Sequence, residues 1–326
     1  MARRKGWPSQ REPRAWKPNR PFPLVARQAI EQHIDTCQNP GLVYERYVHY
    51  QRKGDDWALG APTKKKVIEA AVKAQQRLAS SQPLWQGFQD RWQQTIRDAL
   101  TFDAHPDFRF VSGLGRGGPL EVGFTFHRIY GFPIIPGSGL KGVARAYALI
   151  SLAERLEPPD LDGLDQFLTT SDKREFQQAF DQQYPDAPDE VRELVRHFRA
   201  VFGTVGMAGQ AIFYDAIPLT SPLLEPDVMT PHYPDYYAEK KDSRGRPIPP
   251  ADWQNPTPIP FLTVGRETLF HFAIGWRGDP NPSAHEQAKR WLENGLQELG
   301  AGAKTTAGYG YFKPRDTKLG MGSKVV

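Results

Sequence analysis

Two glycine-rich segments place positive side chains beside backbone that a ligand could approach closely. The first spans residues 136–145 and reads PGSGLKGVAR. Ser138 is a suitable helix N-cap, because its hydroxyl can accept a hydrogen bond from an orphaned backbone N–H. Lys141 and Arg145 are four residues apart and therefore share one face of the helix that follows. A helix N-terminus with cations nearby is a favourable place for a phosphate group.

The second segment, residues 299–312, reads LGAGAKTTAGYGYF. Small residues remove side chains that would keep a ligand from the backbone, and consecutive N–H groups in such a loop can form an anion-binding nest. A helix-to-strand loop that needs glycine only for its turns is the alternative. Four glycines beside a lysine and two threonines favour ligand binding over that alternative. The candidate contacts are Gly302, Lys304, Thr305, Thr306 and Gly308.

Two further loops carry candidates for contact with phosphates or bases. Arg116 lies within residues 113–118 (GLGRGG), whose spacing matches neither the dinucleotide-binding nor the Walker motif. Nucleotide hydrolysis is therefore not indicated, and a flexible hairpin connection is the other interpretation. Residues 218–260 are rich in proline, and a loop of this length is usually functional or disordered. His232 and Tyr233 within it could wedge against nucleic-acid bases.

Histidines raise an enzymatic alternative, in which the chain cleaves RNA without a metal. A histidine near its ordinary pKa can act as a general acid or base. The alternation of the strand predicted at 120–126 continues to His127 and puts this residue on the polar face, which favours a hydrogen-bonding or RNA-contacting role. The loop around His232 is interrupted by prolines, so no catalytic pair is fixed by spacing. The candidate groups for this alternative are His127, His232, Tyr233 and Asp235.

The composition is compatible with a nucleic-acid partner and excludes several other classes. The 326 residues carry a formal net charge of +5, with 39% hydrophobic and 24% charged residues. Cys37 is the single cysteine, so an intrachain disulfide and a cysteine-based zinc site are excluded, and a reducing cytoplasmic location is favoured. No apolar run reaches the length of a membrane span, and no secretory h-region follows the basic residues 3–5. No cofactor, metal or small-molecule substrate is indicated.

The hydrophobic pattern predicts an α+β fold. Helices are predicted at 63–80, 83–101, 139–155, 188–202 and 283–299, and strands at 106–112, 120–126, 211–217, 261–264, 268–275 and 309–313. The core order of strand, helix, two strands, helix and strand is that of the split βαβ, ferredoxin-like folds.

The same pattern suggests a domain plan. Residues 1–23 read as a flexible basic arm whose Trp7 and Trp16 could stack on RNA bases, or as a tail that only aids solubility. The remaining divisions are a helical N-terminal region at 24–105, a core at 106–313 with insertions at 157–190 and 218–260, and a C-terminal tail at 314–326.

The ordered set of segments resembles the RAMP superfamily, and within it the sixth-subunit family of the Cmr complex, the type III-B CRISPR effector. Gly139 is a departure, since a serine is expected there. The arm at 1–23 and the interval at 157–190 are not covered by the resemblance. The matching segments are residues 130–142 with Arg145, 202–203, 213–216, 227–233, 255–259, 261–262 and 300–312.

The resemblance implies a RAMP-type, RRM-like βαββαβ core and a non-catalytic role in a cytoplasmic ribonucleoprotein of antiviral defence. Such subunits grip the CRISPR guide RNA, cap the backbone near its 3′ end, and contact other Cmr subunits around the guide and target RNA duplex. The target-cleaving aspartate belongs to a different, repeated subunit. The glycine-rich loop at 300–312 and the segment 136–142 are the implied RNA contacts. Other RAMP-type proteins imply the alternative of an endoribonuclease that processes guide precursor RNA.

Overall fold

The structure of the protein is a computed structural model. Most of the predicted basic arm and of the C-terminal tail lies outside the described residues. No helix within the described ranges combines the length and apolarity that crossing a membrane requires. The description covers residues 22–315 except 49, 54–55, 171–172, 231 and 251–257.

The described residues form both helices and strands. The helices are α1 (Leu24–His33), α2 (Pro40–Glu45), α3 (Ala61–Ala79), α4 (Gln82–Thr95), α5 (Gly137–Leu156), α6 (Leu161–Leu168), α7 (Lys173–Gln183), α8 (Asp189–Phe202), α9 (Pro234–Tyr237) and α10 (Pro282–Glu298), with 3₁₀ turns at Ile34–Thr36 and Thr305–Ala307. The strands are β1 (Gln51–Lys53), β2 (Asp56–Ala58), β3 (Leu100–Pro106), β4 (Arg109–Phe110), β5 (Gly203–Thr204), β6 (Met207–Ala208), β7 (Ala211–Phe213), β8 (Ile217–Pro218), β9 (Leu224–Met229), β10 (Ile259–Gly265), β11 (Phe270–Trp276) and β12 (Phe312–Pro314).

An antiparallel sheet in the order β12-β3-β11-β7, with β8 also paired to β11, forms the centre of the molecule. Its elements follow one another as β3, α5, β7, β11, α10 and β12, so the predicted α+β, ferredoxin-like order is confirmed. Helices α5 and α10 pack together over the face that carries Phe272 and Ile274. Because successive strand residues alternate between faces, Ile217 opposes His271 on the other face. There α4 packs around Ile217 with Phe88.

The first core strand lies earlier than the sequence predicted. β3 spans Leu100–Pro106, whereas the pattern extended a helix to 101 and placed the domain boundary after 105. No glycine directly follows Thr95, and Ile96 continues the helical spacing of apolar residues. Nothing in the sequence therefore marks the end of α4. Phe102 is drawn into the sheet by stacking on Phe272, at 4.7 Å between ring centroids. A long-range contact therefore outweighs the local helical pattern.

The strand predicted at 120–126 does not form, although the segment is extended and buried. Thr125 N–H donates to Ser112 O at 2.8 Å, and Ile134 N–H donates to Thr125 O at 3.3 Å. Gly123 approaches so closely that a Cβ there would lie 2.6 Å from Gly113 O. Both faces of the segment are thus packed against the protein. The alternation of apolar and polar residues therefore does not produce an exposed polar face.

Both predicted insertions contain regular structure. Residues 157–190 hold α6 and α7, whose Phe167 and Phe176 rings pack at 5.2 Å. Residues 218–260 contribute β9 and the start of β10 to a second sheet, in the order β4-β10-β9. Pro226 is accommodated because β9 is the edge strand, where a missing N–H is tolerated.

A network around Asp227 ties the second sheet to the C-terminal loop. The Tyr309 hydroxyl donates to Asp227 Oδ2 at 2.7 Å, and Arg109 Nη1 donates to the same oxygen at 2.6 Å. Arg109 Nε also donates to Glu225 at 2.9 Å. Burial alone would raise the pKa of Asp227, but hydrogen bonds from Tyr309, Val228 N–H and Arg109 outweigh it and lower the pKa. Burial, followed by the hydrogen bond to Asp227, raises the pKa of Tyr309 to about 12.

The loop between α10 and β12 folds back on itself through close backbone contacts. Ala301 N–H donates to Gly310 O at 2.8 Å, and a Cβ on Gly310 would lie 1.9 Å from Ala301 O. A Cβ on Gly308 would meet no atom within 4 Å, although its φ of +86° is as unusual as the +77° of Gly310. The two glycines therefore share a backbone conformation but differ in surroundings.

Replacing Gly310 with Ala should destabilise the fold far more than replacing Gly308 with Ala. Gly308→Ala meets only the cost of a left-handed backbone, about 1 kcal/mol. Gly310→Ala adds a collision with a backbone oxygen and should cost about 3 kcal/mol or more. Urea unfolding measures both, and equal losses would show that the Ala301 contact imposes no constraint.

Asp227→Asn should lower stability in a pH-dependent way. Because the folded pKa of Asp227 is depressed, its stabilisation is complete above its unfolded pKa of about 3.9 and is lost as pH falls through the folded value. We expect a loss of about 1–3 kcal/mol at pH 7 and a smaller difference from wild type in strong acid. The free energy of unfolding, measured from pH 7 downward, tests this; a constant difference would contradict it.

Candidate nucleic-acid interface

Lys304 presents its positive charge above aromatic rings at the edge of the glycine-rich loop. Its φ is +62°, a left-handed conformation uncommon for lysine, and its Nζ lies 5.8 Å from the Phe261 centroid and 5.9 Å from that of Tyr309. Among the described residues it forms no ion pair. Thr306 is exposed and Thr305 is half-buried beside it. The ammonium is therefore held in place and available to an anion.

The glycines of this loop have different roles. A Cβ on Gly302 would lie 2.2 Å from Val111 O, and Ala303 N–H donates to that oxygen at 2.9 Å. The position that a side chain at Gly302 would take is thus filled by Val111 O, while Gly302 itself is exposed, and its contact with a ligand stays a prediction. Gly308, exposed and without close neighbours, is the position where a ligand could approach the backbone.

The N-terminus of α5 already holds an anion supplied by the protein. Its N-cap is Pro136, so Ser138 lies inside the first turn and does not cap the helix as predicted. Gly137 N–H donates to Asp215 Oδ1 at 2.7 Å, and a Cβ on Gly137 would lie 2.1 Å from Phe213 O. The favourable end of the helix dipole is therefore used by Asp215. One N–H group of the helix-end phosphate site that the sequence suggested is therefore occupied by the protein, and phosphate binding there stays a prediction.

The two cations of α5 have different surroundings. Arg145 Nη2 lies 2.5 Å from Asp165 Oδ1, and its guanidinium is 5.5 Å from the Phe198 centroid, so it fastens α6 and α8 to α5. Lys141 is half-buried and forms no ion pair among the residues that the structure describes. Exposed Ser138 and Gly139 lie on the turn before it, and a Cβ on Gly139 would be in open space, so the expected serine would fit there.

Arg116 lies in a groove of about 810 Å³ with Arg46 and Arg128. The groove also contains Glu45 and Asp215, the latter engaged with the α5 N-terminus. Within the described ranges, none of the three arginines is in an ion pair. Arg46 and Arg128 could not be predicted from the sequence, because they come from the end of α2 and from a turn before α5, far apart in the chain.

Short backbone links bring the glycine-rich loop, the Arg116 loop and the approach to α5 together. Val111 O accepts from the C-terminal loop, while Ser112 O accepts from Thr125 N–H at 2.8 Å. Thr125 O in turn accepts from Ile134 N–H, two residues before Pro136. Val111 and Gly113 are two residues apart and can be separated by at most about 7 Å. Three of the sequence-predicted segments are therefore connected to one another through their backbones.

The histidines differ in their availability. His127 Nδ1 accepts from the N–H groups of Ile129 and Tyr130 at 3.2 and 3.3 Å, and its ring packs 5.6 Å from that of Phe88. Burial lowers the pKa of His127, with the Asp215 charge opposing the shift. This ring therefore stabilises a turn. The prediction that it lies on the polar face of a strand was wrong.

His232 and Tyr233 follow β9, and their rings are 6.3 Å apart. His232 is exposed and Tyr233 is half-buried. His232 is five residues beyond Asp227, which keeps it within about 18 Å of that network. Asp235, the third candidate of this loop, pairs with Lys240 at 2.6 Å. Across the described part of the chain, no cluster of three or more His, Cys, Asp or Glu side chains is arranged to hold a metal.

The amino-acid sequence is similar to those of known proteins. The sequence profile of the RAMP superfamily matches residues 81–313. The CRISPR system Cmr subunit Cmr6 of Pyrococcus furiosus is 33% identical over 239 residues, which are 65% of this chain and 67% of that protein.

Two solved structures are also similar. The crystal structure of Cmr6 from Pyrococcus furiosus aligns with 28% identity over 67% of this chain and 98% of its own, at a TM-score of 0.43. A chain in the cryo-EM structure of the type III-B Cmr-beta complex bound to cognate target RNA aligns at 17% identity over 90% of this chain and 87% of its own, with a TM-score of 0.45. Because the family profile covers most of the chain, including α5 and the glycine-rich loop, this protein belongs to the RAMP superfamily.

Proposed function

We propose that this protein is an RNA-binding, non-catalytic subunit of a type III-B Cmr effector. It grips the guide RNA near its 3′ end, where guide and target RNA pair, and caps the backbone of other Cmr subunits in a cytoplasmic antiviral ribonucleoprotein. The relationship to Cmr6 supports membership in such a complex. The observation that carries the RNA-binding role is that Lys304 beside the glycine-rich loop and the three arginines of the groove form no ion pair among the described residues.

The arrangement of charge suits an RNA backbone better than a small anion. Lys304, Arg116, Arg46 and Arg128 are spread over a groove and a neighbouring loop and do not converge on one point. Extended rows of cations neutralise successive phosphates without reading sequence. Ser138 and Lys141 prolong this surface along α5, with Thr305, Thr306 and Gly308 at its other end. Arg145 is a weaker candidate because Asp165 already balances its charge.

The histidine surroundings support a role without catalysis. A general base must reach the proton it removes, and His127 Nδ1 is engaged by two backbone N–H groups. His232 is exposed but lies in a loop where Asp235 is paired with Lys240. Incubating the purified chain with guide precursor RNA tests the alternative of an endoribonuclease, and specific cleavage that is lost in His232→Ala would favour it.

Loss of the unpaired cations should flatten the salt dependence of RNA binding. For single strands the slope of log K against log salt is about −0.7 per neutralised phosphate. Lys304→Ala should therefore reduce its magnitude by about 0.7, and the triple variant of Arg46, Arg116 and Arg128 to Ala by about 2. Both variants should weaken binding similarly for unrelated RNA sequences. Fluorescence anisotropy over a potassium chloride series measures these quantities.

The matched control is Lys289→Ala, which removes a lysine of α10 that is paired with Glu293 at 3.7 Å. Its slope should equal that of wild type. An unchanged slope in both test variants would remove the RNA-binding part of the proposal.

Membership in the effector is tested by affinity purification of the natively expressed protein without nuclease. Sequencing of the bound RNA should give guides with a common repeat-derived tag, and mass spectrometry should identify the other Cmr subunits. Recovery of Cmr subunits with no RNA would support a protein-only adaptor instead. Recovery of the chain alone with precursor RNA would favour the nuclease.

A further inference from the structure

Phe108 is an exposed aromatic ring in a protein whose phenylalanines are otherwise covered. It occupies the turn between β3 and β4, and half of its surface (50%) is open to solvent. Every other phenylalanine within the described ranges is buried or half-buried. Burying a phenylalanine side chain stabilises a protein by about 1.5–3 kcal/mol. An exposed ring can gain the same stabilisation when a binding partner covers it.

The exposed ring is held in a defined orientation. The Arg109 guanidinium lies 5.3 Å from the Phe108 centroid, and Arg109 is itself fixed by ion pairs with Asp227 and Glu225. The Tyr309 ring meets Phe108 edge to face at 5.4 Å, and its hydroxyl is bound by Asp227. Phe108 is thus supported by the Asp227 network, and it loses little conformational entropy when a flat ligand binds.

A candidate phosphate contact flanks the same tyrosine. Lys304 Nζ lies 5.9 Å from the Tyr309 centroid, whose ring also touches Phe108. The Lys304 ammonium and the exposed Phe108 ring, which both contact Tyr309, suit the phosphate and the base of a nucleotide respectively. Proteins that bind single strands combine such cations with aromatic platforms on which bases stack.

We propose that Phe108 stacks on an unpaired nucleobase of the RNA strand whose phosphate contacts Lys304. This inference rests on the proposed RNA-binding function and adds a residue to it. Every base has a flat π-face, so the contact tolerates any sequence but requires that the base be out of a duplex at this point. The strand therefore leaves base pairing where it reaches the glycine-rich loop.

The test compares Phe108→Ala, Phe108→Leu and Phe108→Trp in the full chain, with single-stranded RNA as the probe. Phe108→Ala should weaken binding roughly 5- to 100-fold, as expected for loss of one stacked base. Phe108→Leu keeps an apolar side chain but no π-face and should behave similarly, whereas Phe108→Trp should bind at least as well as wild type. None of them should alter the salt slope, because no phosphate contact is lost.

A second measurement locates the base. The affinity for RNA is measured with a series of RNAs, each lacking one base at a different position. Wild type should bind one of these RNAs more weakly, whereas the affinity of Phe108→Ala should be unaffected by the loss of that base. Leu161→Ala, which shortens an apolar side chain of α6 with 46% exposure, is the surface control and should bind normally. Urea unfolding of each variant verifies that the fold is intact.

The outcomes separate the two proposals. If Lys304→Ala flattens the salt slope but Phe108→Leu binds as tightly as wild type, stacking is wrong while RNA binding stands. If Phe108→Ala impairs only recovery of Cmr subunits and leaves RNA affinity unchanged, the ring is a protein contact and the inference is overturned. If wild type shows no salt-dependent RNA affinity, the proposed function fails together with it.

Discussion

The partly buried carboxylate of Asp227 holds together the network on which the candidate surface depends. It accepts hydrogen bonds from Arg109 at the start of β4 and from Tyr309 in the C-terminal loop, and thereby joins segments that are distant in the chain. A partly buried acid of this kind is stable only when its charge is compensated by donors. Without Asp227, the guanidinium of Arg109 and the hydroxyl of Tyr309 would lose their common acceptor, and the loop would be attached to β4 by backbone bonds alone, such as that from Gly310 N–H to Arg109 O at 2.8 Å.

This attachment explains how a loop rich in glycine can present functional groups precisely enough to bind. Glycine increases the freedom of the unfolded chain, but here the backbone is fixed by bonds from Ala301 to Gly310 and from Ala303 to Val111. Lys304 and Phe108 project from this fixed base on either side of Tyr309. Groups that are ordered before a ligand arrives require less ordering during binding, which favours affinity.

Ion pairs within the protein determine which cationic side chains are available to bind an external anion. Asp215 supplies the negative charge at the α5 N-terminus, and Asp165 balances Arg145. Lys304, Lys141 and the arginines of the groove have no such partners among the described residues. The surface proposed to bind RNA is therefore displaced from the helix end toward the groove and the glycine-rich loop. Arg46, which directly follows α2, makes the N-terminal helical region part of this surface.

Local sequence patterns were enough to predict the βαββαβ order and the helical stripe of α5, and residue types were enough to propose Lys304, Lys141 and Arg116 as contacts. These features follow from local periodicity and from residue types. Tertiary structure alone decided where β3 begins, because its pairing with β11 overrides a helical pattern that continues past Thr95. It also decided that Gly302 serves the fold, that Asp215 caps α5, and that Arg46 and Arg128 join Arg116. Each of these depends on atoms brought together from distant parts of the chain, and local sequence patterns carry no record of such contacts.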